Sequence, residues 1–320
     1  MSIISIIKRN IVEAYRIWLS YDLKLIVHMI WNRIKYKHYH DFLKADWPCK
    51  FDFLLRHYNH ILEKCKNNPI STANNIGPIW VCWWQGEDKM PEVVRFCYES
   101  LKRNTPSEKA IIFLDSKNYR EYVDIPEYII KKFEKRIMSI THFTDILRMT
   151  LLAKHGGLWI DSTVFLSDKM PDCVFQNTYF SAKTPFFPNS VAKSKYTVFL
   201  LGAAANSPWI VYARDMLYEY WKTSWKLLDY ILVNYILTLA LDSIPELNEQ
   251  VKNCILDTPH ITTLQRLGNE TCNMQIFNKM ISECQFYKLS YKLVFKERDE
   301  NGNLTYYGMM RKKVNESINS

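Results

Sequence analysis

The sequence lacks the features that mark several common protein classes. Its eight cysteines show no CxxC spacing, so neither a zinc site nor a small disulfide framework is indicated, and a reducing cytosol fits best. Charged residues interrupt the first 24 residues and no small-residue cleavage site follows, so we expect no secretion. No apolar run reaches the roughly 20 residues needed to cross a bilayer. No nucleic-acid-binding signature accompanies the net charge of +9. We therefore expect a cytoplasmic protein, soluble or peripheral at the inner face of the plasma membrane, with no nucleic-acid partner.

The composition is that of a folded protein with many aromatic side chains. Of 320 residues, 48% are hydrophobic, which is enough for a sizeable core and argues against disorder. Aromatic residues make up 14% of the chain, and most of them are expected in the core. Some would suit a site where rings stack on bases or sugars. There is no internal repeat and no low-complexity stretch.

The first part of the chain is basic and helical. Residues 1–66 hold 12 Lys and Arg against 6 Asp and Glu. Apolar residues such as Ile7, Ile11, Leu25 and Met29 recur at helical steps. Two interpretations stay open: a solvated helical face packed on the rest of the protein, or contact with an anionic membrane surface through residues 1–66. A turn-like segment at 66–78 ends this pattern, so we expect a helical basic segment at 1–70 and a second domain at 71–320.

From residue 79 short apolar runs alternate with amphipathic segments, the pattern of an α/β layer fold. The predicted strands are 79–84, 110–115 and 158–166, with weaker candidates at 178–184 and 197–205. The predicted helices are 91–101, 126–135, 142–155, 208–225 and 227–241. The helix at 142–155 is expected to stop at Gly156 and Gly157 in a left-handed cap, with His155 favourable to the helix dipole.

Two acidic residues and one arginine, on the predicted helix at 142–155 and the predicted strand at 158–166, are candidate functional residues. Asp145 and Arg148 are three residues apart and share a helix face, where they form either an ordinary surface ion pair or a binding group for hydroxyls and phosphate. Asp161 follows the apolar residues of the next strand, and α/β sheets bind ligands at the carboxyl ends of strands. A carboxylate there needs a cation, donors or a divalent metal ion. The alternative is that it merely caps the strand end.

The segment ITHFTDILRMTLLAKHGGLWIDSTVFL closely resembles the (S/T)DxxRxxLLxxxGGxWxDxT block of capsular polysaccharide synthesis glycosyltransferases. These enzymes are relatives of the family 32 and DXD-containing sugar transferases. The upstream IWVCWWQGEDKMPEVVRFCYESLKRNTP is similar to their first strand and helix. The resemblance is specific from about residue 76 to 166 and looser to about 241. It implies a GT-A type, Rossmann-like α/β fold, a nucleoside-diphosphate sugar donor and a divalent metal, Mn²⁺ or Mg²⁺.

Site roles follow from the resemblance. Asp145 would hold donor hydroxyls, Arg148 sugar or phosphate, and Asp161 the metal as the first carboxylate of the DXD motif. Substrate-binding residues would further include Trp83, Trp84, Gln85, Gly156, Gly157 and Thr163. Thr163 stands where the wider family has its second Asp, and a hydroxyl is a weak metal ligand. Asp229 is a candidate catalytic residue, although a plain helix-face carboxylate is the competing interpretation, and His260 is a candidate diphosphate contact, although it could equally be structural.

The resulting expectation is a hexosyltransferase, retaining by family analogy. It would transfer sugar from a nucleotide donor to a surface polysaccharide or a lipid-linked glycan. The rival is a catalytically inactive protein of the same fold that serves glycan assembly or binds at the membrane. Thr163 and the basic first segment motivate that rival.

Overall fold

Strands and helices alternate from residue 79 to residue 160, as the sequence predicts, further strands and helices follow, and three helices precede residue 79. The structure is a computed structural model that describes residues 3–185 and 190–316. The helices are α1 (Ile3–Ser20), α2 (Leu23–Lys35), α3 (Tyr39–Lys66), α4 (Glu92–Asn104), α5 (Glu127–Glu134), α6 (Ile140–His155), α7 (Pro208–Thr223), α8 (Leu232–Ser243), α9 (Pro245–Lys252), α10 (Thr263–Leu267), α11 (Met274–Glu283) and α12 (Tyr306–Glu316). The strands are β1 (Ile79–Cys82), β2 (Ile111–Leu114), β3 (Gly157–Ile160), β4 (Val164–Leu166), β5 (Tyr179–Lys183), β6 (Leu200–Ala203), β7 (Ile255–Asp257) and β8 (Phe286–Lys288).

Six of these strands form one mixed sheet in the order β2-β1-β3-β6-β5-β7. β6 is antiparallel to both of its neighbours, and the other pairs are parallel. β4 and β8 form a separate antiparallel pair. The α/β fold class predicted from the sequence is confirmed.

The predicted strand at 158–166 is wrong in one respect, because the chain turns in its middle. β3 ends at Ile160 and β4 begins at Val164, and the two belong to different sheets. The amide of Val164 donates to the carbonyl of Asp161 at 2.8 Å, which closes the turn. Asp161 therefore lies at the carboxyl end of β3, and the turn leads directly into the pair with β8.

The helix before β3 begins and ends at clear signals. The Ser139 side chain accepts from the amide of His142 at 3.2 Å, an N-cap. Gly156 ends the helix with a positive φ of 65°, but its ψ of −160° lies outside the left-handed helical region, so the predicted left-handed cap is wrong. Gly157 has φ 108°, and an added Cβ would lie 2.2 Å from the carbonyl oxygen of Pro78. Only glycine fits here, because the start of β3 lies so close to Pro78, the residue before β1.

Apolar clusters cover both faces of the sheet, since alternate residues of a strand point to opposite sides. Trp80 of β1 belongs to the cluster that includes α6, α7 and α8, whereas its neighbours Ile79 and Val81 belong to the cluster under α4, α11 and α12. These three side chains are at most 1% exposed. The sheet is thus the middle of three layers, and its strand ends are left for a site.

The N-terminal helices attach to the first of these clusters. α3 packs on α7 and α8 and has Phe53, Leu54 and Leu62 buried in this cluster, which confirms the packed-helix interpretation for this part. α1 is anchored at its end, where Ser20 Oγ accepts from the amide of Trp225 at 2.8 Å. Within the part of the chain that the structure describes, no helix is long and apolar enough to cross a membrane. The domain division at residue 70 stays a prediction.

Candidate functional site

A cleft of about 480 Å³ opens at the carboxyl ends of β1 and β3. Crevices at strand ends are where open α/β sheets bind their ligands, and the volume lies in the ordinary range for ligand pockets. Residues from five parts of the chain line it, including the predicted Trp83, Trp84, Gln85, Arg148, Asp161 and Thr163. Other lining residues, absent from the prediction, include Ile140, Thr141, Thr144, Tyr230, Lys288, Ser290, Tyr291 and Lys292.

The arginine predicted from sequence lies between the two predicted carboxylates. Arg148 Nη1 donates to Asp145 Oδ1 at 2.7 Å, and Arg148 Nη2 donates to Asp161 Oδ1 at 3.1 Å. The Arg148 side chain is only 6% exposed, so both ion pairs are largely shielded from water. Because α6 and β3 are joined directly, the guanidinium is fixed at the end of β3. Charged pairs in such surroundings are preorganised for a charged ligand.

Further contacts fix the orientation of this arginine. Its guanidinium lies over the Trp159 ring, 4.8 Å from the centroid. The Arg148 Nε atom is buried and has no hydrogen-bond partner. Asp145 lies behind it, 3.7 Å from His142 Nδ1, and does not itself line the cleft. Arg148 and Asp161 are therefore the members of the triad that a ligand would meet.

Lys288, on β8, is a charged site residue that the sequence did not predict. Its Nζ donates to Asp161 Oδ2 at 2.6 Å and to Thr163 Oγ1 at 2.7 Å. The pairing of β4 with β8 sets Lys288 opposite Val164, and the Leu289 amide donates to the Thr163 carbonyl at 2.8 Å. Since 125 residues separate Lys288 from Thr163, no local spacing could reveal the contact.

Asp161 is held as a carboxylate. Burial, the largest single influence, would raise its pKa, but Lys288 and Arg148 together with the hydrogen bond from Trp159 bring the pKa below the ordinary value. The Trp159 indole donates to Asp161 Oδ1 at 2.9 Å. Both carboxylate oxygens therefore already accept from donors of this chain, and the group is a poor proton acceptor.

Aromatic side chains form the walls beside these charges. Trp83 donates its indole N–H to the Lys89 carbonyl at 3.1 Å and meets Tyr291 edge-on, with centroids 5.3 Å apart. Trp84 packs edge-on against Phe143 of α6 at 5.3 Å. These rings are held by the protein's own contacts, and each still borders the cleft. They supply flat apolar surface of the kind that bases and sugars stack on.

Besides Asp145, four predicted site residues do not line this cleft. Gly156 precedes β3 and Gly157 begins it, at the end of the strand opposite to Asp161. The Asp229 carboxylate accepts from Lys50 Nζ at 2.5 Å and from the hydroxyl of Tyr235 at 3.3 Å, and Asp229 does not itself line the cleft, whereas its neighbour Tyr230 does.

His260 lies in the loop before α10. Its Nε2 is 2.8 Å from a Glu283 carboxylate oxygen, and it does not line the cleft. The structure therefore gives Asp229, His260 and the two glycines structural contacts, and their predicted site roles stay predictions.

The donor set at Asp161 does not fit a resident divalent cation. Mg²⁺ and Mn²⁺ prefer several oxygen ligands with carboxylates among them. Here Asp161 is the one carboxylate among the described lining residues, and both of its oxygens face cationic or N–H donors. Over residues 3–185 and 190–316, no group of three or more His, Cys, Asp or Glu side chains gathers in a way that would hold a metal.

Fold and site together define an α/β protein with a polar, cation-rich ligand cleft at the strand ends. The chain belongs to the capsular polysaccharide synthesis protein family, whose pattern matches residues 31–310. The family expected from the α6–β3 block is thereby confirmed, and the match includes α3 as well as the α/β part.

Solved structures similar to the chain include two glycosyltransferases. The PaToxG glycosyltransferase is 12% identical, with a TM-score of 0.38, over 74% of this chain and 95% of that one. The bifunctional glycosyltransferase WbbM, in its apo structure, is 8% identical, with a TM-score of 0.36, over 77% of this chain and 50% of that one. No curated protein sequence matches the chain.

Proposed function

We propose that the protein is a glycosyltransferase that moves a hexose or related sugar from a nucleoside-diphosphate sugar to a surface polysaccharide or a lipid-linked glycan. The observation that carries the proposal is the linked set Asp145–Arg148–Asp161, which reaches one cleft beside aromatic walls. Membership of the capsular polysaccharide synthesis family agrees with it.

The cleft suits each part of such a donor. Trp83, Trp84 and Tyr291 offer surfaces for the base and the sugar. Arg148 and Lys288 offer positive charge for the diphosphate. Thr144, one helical step from Arg148, adds a hydroxyl at the same wall. In this arrangement the sugar would sit near the Arg148–Asp161 pair, with the diphosphate toward β8.

The lining favours retention of anomeric configuration. An inverting transfer needs a general base, such as an imidazole or a free carboxylate, to take the acceptor proton, and no histidine is among the described lining residues. Asp161 is the one carboxylate among the described lining residues, and it is engaged on both oxygens with a lowered pKa. A diphosphate oxygen of the donor is then the available proton acceptor, on the face from which the leaving group departs. Mn²⁺ or Mg²⁺, where used, would enter with the donor's diphosphate rather than as a resident ion.

The proposal places the protein at the cytoplasmic face of a membrane. All eight cysteines are free thiols, which fits a reducing compartment. α1 and α2 expose large apolar side chains, among them Trp18 at 69% and Trp31 at 62%. Basic residues surround them in the sequence, which suits an anionic lipid surface and a lipid-linked acceptor.

The direct test is a panel of nucleotide sugars, with release of the nucleoside diphosphate measured by chromatography. We expect release from one donor, and a loss of about 100-fold or more in Asp161→Asn, because preorganised charge is removed next to the reacting sugar. Asp168→Asn is the matched control, an exposed aspartate one strand further along that should keep wild-type rates.

Full activity of Asp161→Asn would refute the assigned site. The rival, a catalytically inactive binding or assembly protein, predicts no release from any donor and no calorimetric binding of nucleoside diphosphates at millimolar concentration. Heat of binding without turnover would point to a retained donor site in a protein that has lost transfer.

A further inference from the structure

The ammonium of Lys288 joins the two positions at which the resemblance places the DXD motif. Its Nζ lies 2.6 Å from Asp161 Oδ2 and 2.7 Å from Thr163 Oγ1. A single positive charge thus bridges two oxygen ligands at the end of β3. In a motif with two carboxylates, a bound divalent ion would hold these two positions together.

Resting on the proposed function, we propose that Lys288 supplies the positive charge for the donor's diphosphate at this point, so that binding and departure of the diphosphate require no divalent metal ion. The substitution of a neutral Thr163 for a second carboxylate fits this assignment. One carboxylate balances one ammonium, whereas two carboxylates would leave a negative charge that calls for a doubly charged ion.

The net charge of the cleft also supports Lys288 as the cation that binds the diphosphate. Among the described lining residues there are three cations, Arg148, Lys288 and Lys292, and one carboxylate, Asp161. The excess of positive charge matches a diphosphate, whose charge must be balanced when the sugar leaves it. A site that holds a resident metal ion would instead have more carboxylates than cationic side chains.

Lys288 still has capacity to meet a ligand. An ammonium has three N–H donors, and Asp161 and Thr163 take two of them. The side chain is 22% exposed and borders the cleft. Its main chain is held on two sides, because the Lys288 amide donates to the Ile261 carbonyl at 2.6 Å and β8 pairs with β4. The charge is therefore fixed in place before a donor arrives, as electrostatic catalysis requires.

The transfer step then balances without a metal. The bond between the anomeric carbon and the diphosphate oxygen breaks, and its electron pair stays on the diphosphate. The acceptor oxygen bonds to the anomeric carbon, and its proton passes to a diphosphate oxygen. Lys288 and Arg148 stabilise the negative charge that builds up on the leaving group, which makes Lys288 a catalytic residue in this scheme.

The experiment measures binding and turnover with and without metal. Binding of UDP, GDP and inorganic pyrophosphate is followed by calorimetry in EDTA and in Mn²⁺, and release from the nucleotide-sugar panel is measured under the same conditions. For the wild type we expect diphosphate binding and donor release to persist in EDTA, within about twofold of their values in Mn²⁺, because the cation is part of the chain.

Substitutions of Lys288 then test whether its ammonium group binds the diphosphate. Lys288→Met should weaken diphosphate binding about tenfold or more, since a charge-assisted contact is lost, and Lys288→Arg should recover part of it. Lys279→Met, an exposed lysine of α11, is the control and should leave both measurements unchanged. Thermal unfolding of each variant shows whether it is folded.

The outcomes separate this inference from the proposed function. Release or binding that disappears in EDTA and returns with Mn²⁺ would overturn the role of Lys288 while leaving the protein a transferase. Equal diphosphate affinity in a folded Lys288→Met would overturn it too. No binding and no release under any condition would overturn the inference and the proposed function together.

Discussion

At the scale of single residues, three aspartates with the same chemistry take different roles because their partners differ. Asp145 and Asp161 share Arg148 at the cleft, whereas Asp229 pairs with Lys50, which is 3% exposed. A lysine buried to that degree depends on its counter-ion. The Asp229–Lys50 pair lies between α3 and the segment before α8, so it joins the N-terminal helices to the rest of the chain.

Asp229→Asn should therefore lower the free energy of unfolding by about 3 kcal/mol, because it leaves a buried ammonium without a partner. Urea denaturation measures the change. Asp161→Asn should cost less, since Asp161 is 27% exposed and its partners border the cleft. A second substitution, Lys50→Met, should restore part of the stability of Asp229→Asn.

An Asp229→Asn variant that is stable but inactive would change the role assigned to this residue. If Asp229→Asn keeps its stability but loses donor release, Asp229 is the catalytic residue that the sequence suggested. Measuring both quantities on the same protein preparation decides between the two.

At the scale of elements, the three N-terminal helices divide into one packed helix and two with an open apolar face. α3 packs on α7 and α8 and has Phe53, Leu54 and Leu62 buried in the shared apolar cluster. α2 leaves an apolar stripe in solvent at helical spacing: Leu23, Val27, Ile30, Trp31 and Ile34. α1 does the same with Ile11, Val12, Tyr15, Trp18 and Leu19. Several large apolar side chains exposed together on one helix face are typical of an interaction surface.

We expect the protein to co-sediment with vesicles that contain phosphatidylglycerol, and less with neutral phosphatidylcholine vesicles. The double variant Trp18→Ser with Trp31→Ser should bind about tenfold more weakly, because both rings lose their burial at the lipid interface. Val294→Ser, which removes an apolar side chain that is 79% exposed elsewhere, is the control and should bind like the wild type. Wild-type protein that stays in the supernatant with both lipids would exclude a membrane role for α1 and α2.

Local sequence patterns were enough to predict some of the strands and helices. The apolar runs predicted as strands at 79–84 and 110–115 contain β1 and β2, and the run at 158–166 contains β3 and β4 with a turn between them. The amphipathic pattern at 142–155 lies within α6, because local periodicity determines such elements. The short β7 and β8 and helices α9 to α12 were not predicted. They carry few residues each, and their state depends on packing against distant parts of the chain.

At the scale of the whole molecule, paired carboxylates set the response to acid. Burial opposes ionisation of Asp22, but hydrogen bonds from Arg56, His57 and the Leu25 amide lower its pKa. Asp161 also has a lowered pKa, through Lys288 and Arg148. A carboxylate whose pKa is lowered by folding stabilises the native state above its unfolded pKa, and that stability is lost as the pH falls toward the folded value.

The free energy of unfolding should therefore hold steady from pH 7 down to about 4, near the ordinary aspartate pKa, and then fall. Urea denaturation between pH 7 and 2.5 measures it. Asp22→Asn should start lower and decline less steeply, because one of the protonating groups is gone. A stability that rises on acidification would contradict the assigned ion pairs.

The sequence by itself determined the α/β order, the shared helix face of Asp145 and Arg148, and the place of Asp161 after a buried strand. Each rests on neighbours in the chain, where periodicity and a strand end act over a few residues. Only the tertiary structure decided that the chain turns at 161–163, that β8 pairs there, and that Lys288 reaches Asp161 and Thr163. That contact joins residues more than a hundred positions apart, and strand pairing rather than local preference creates it.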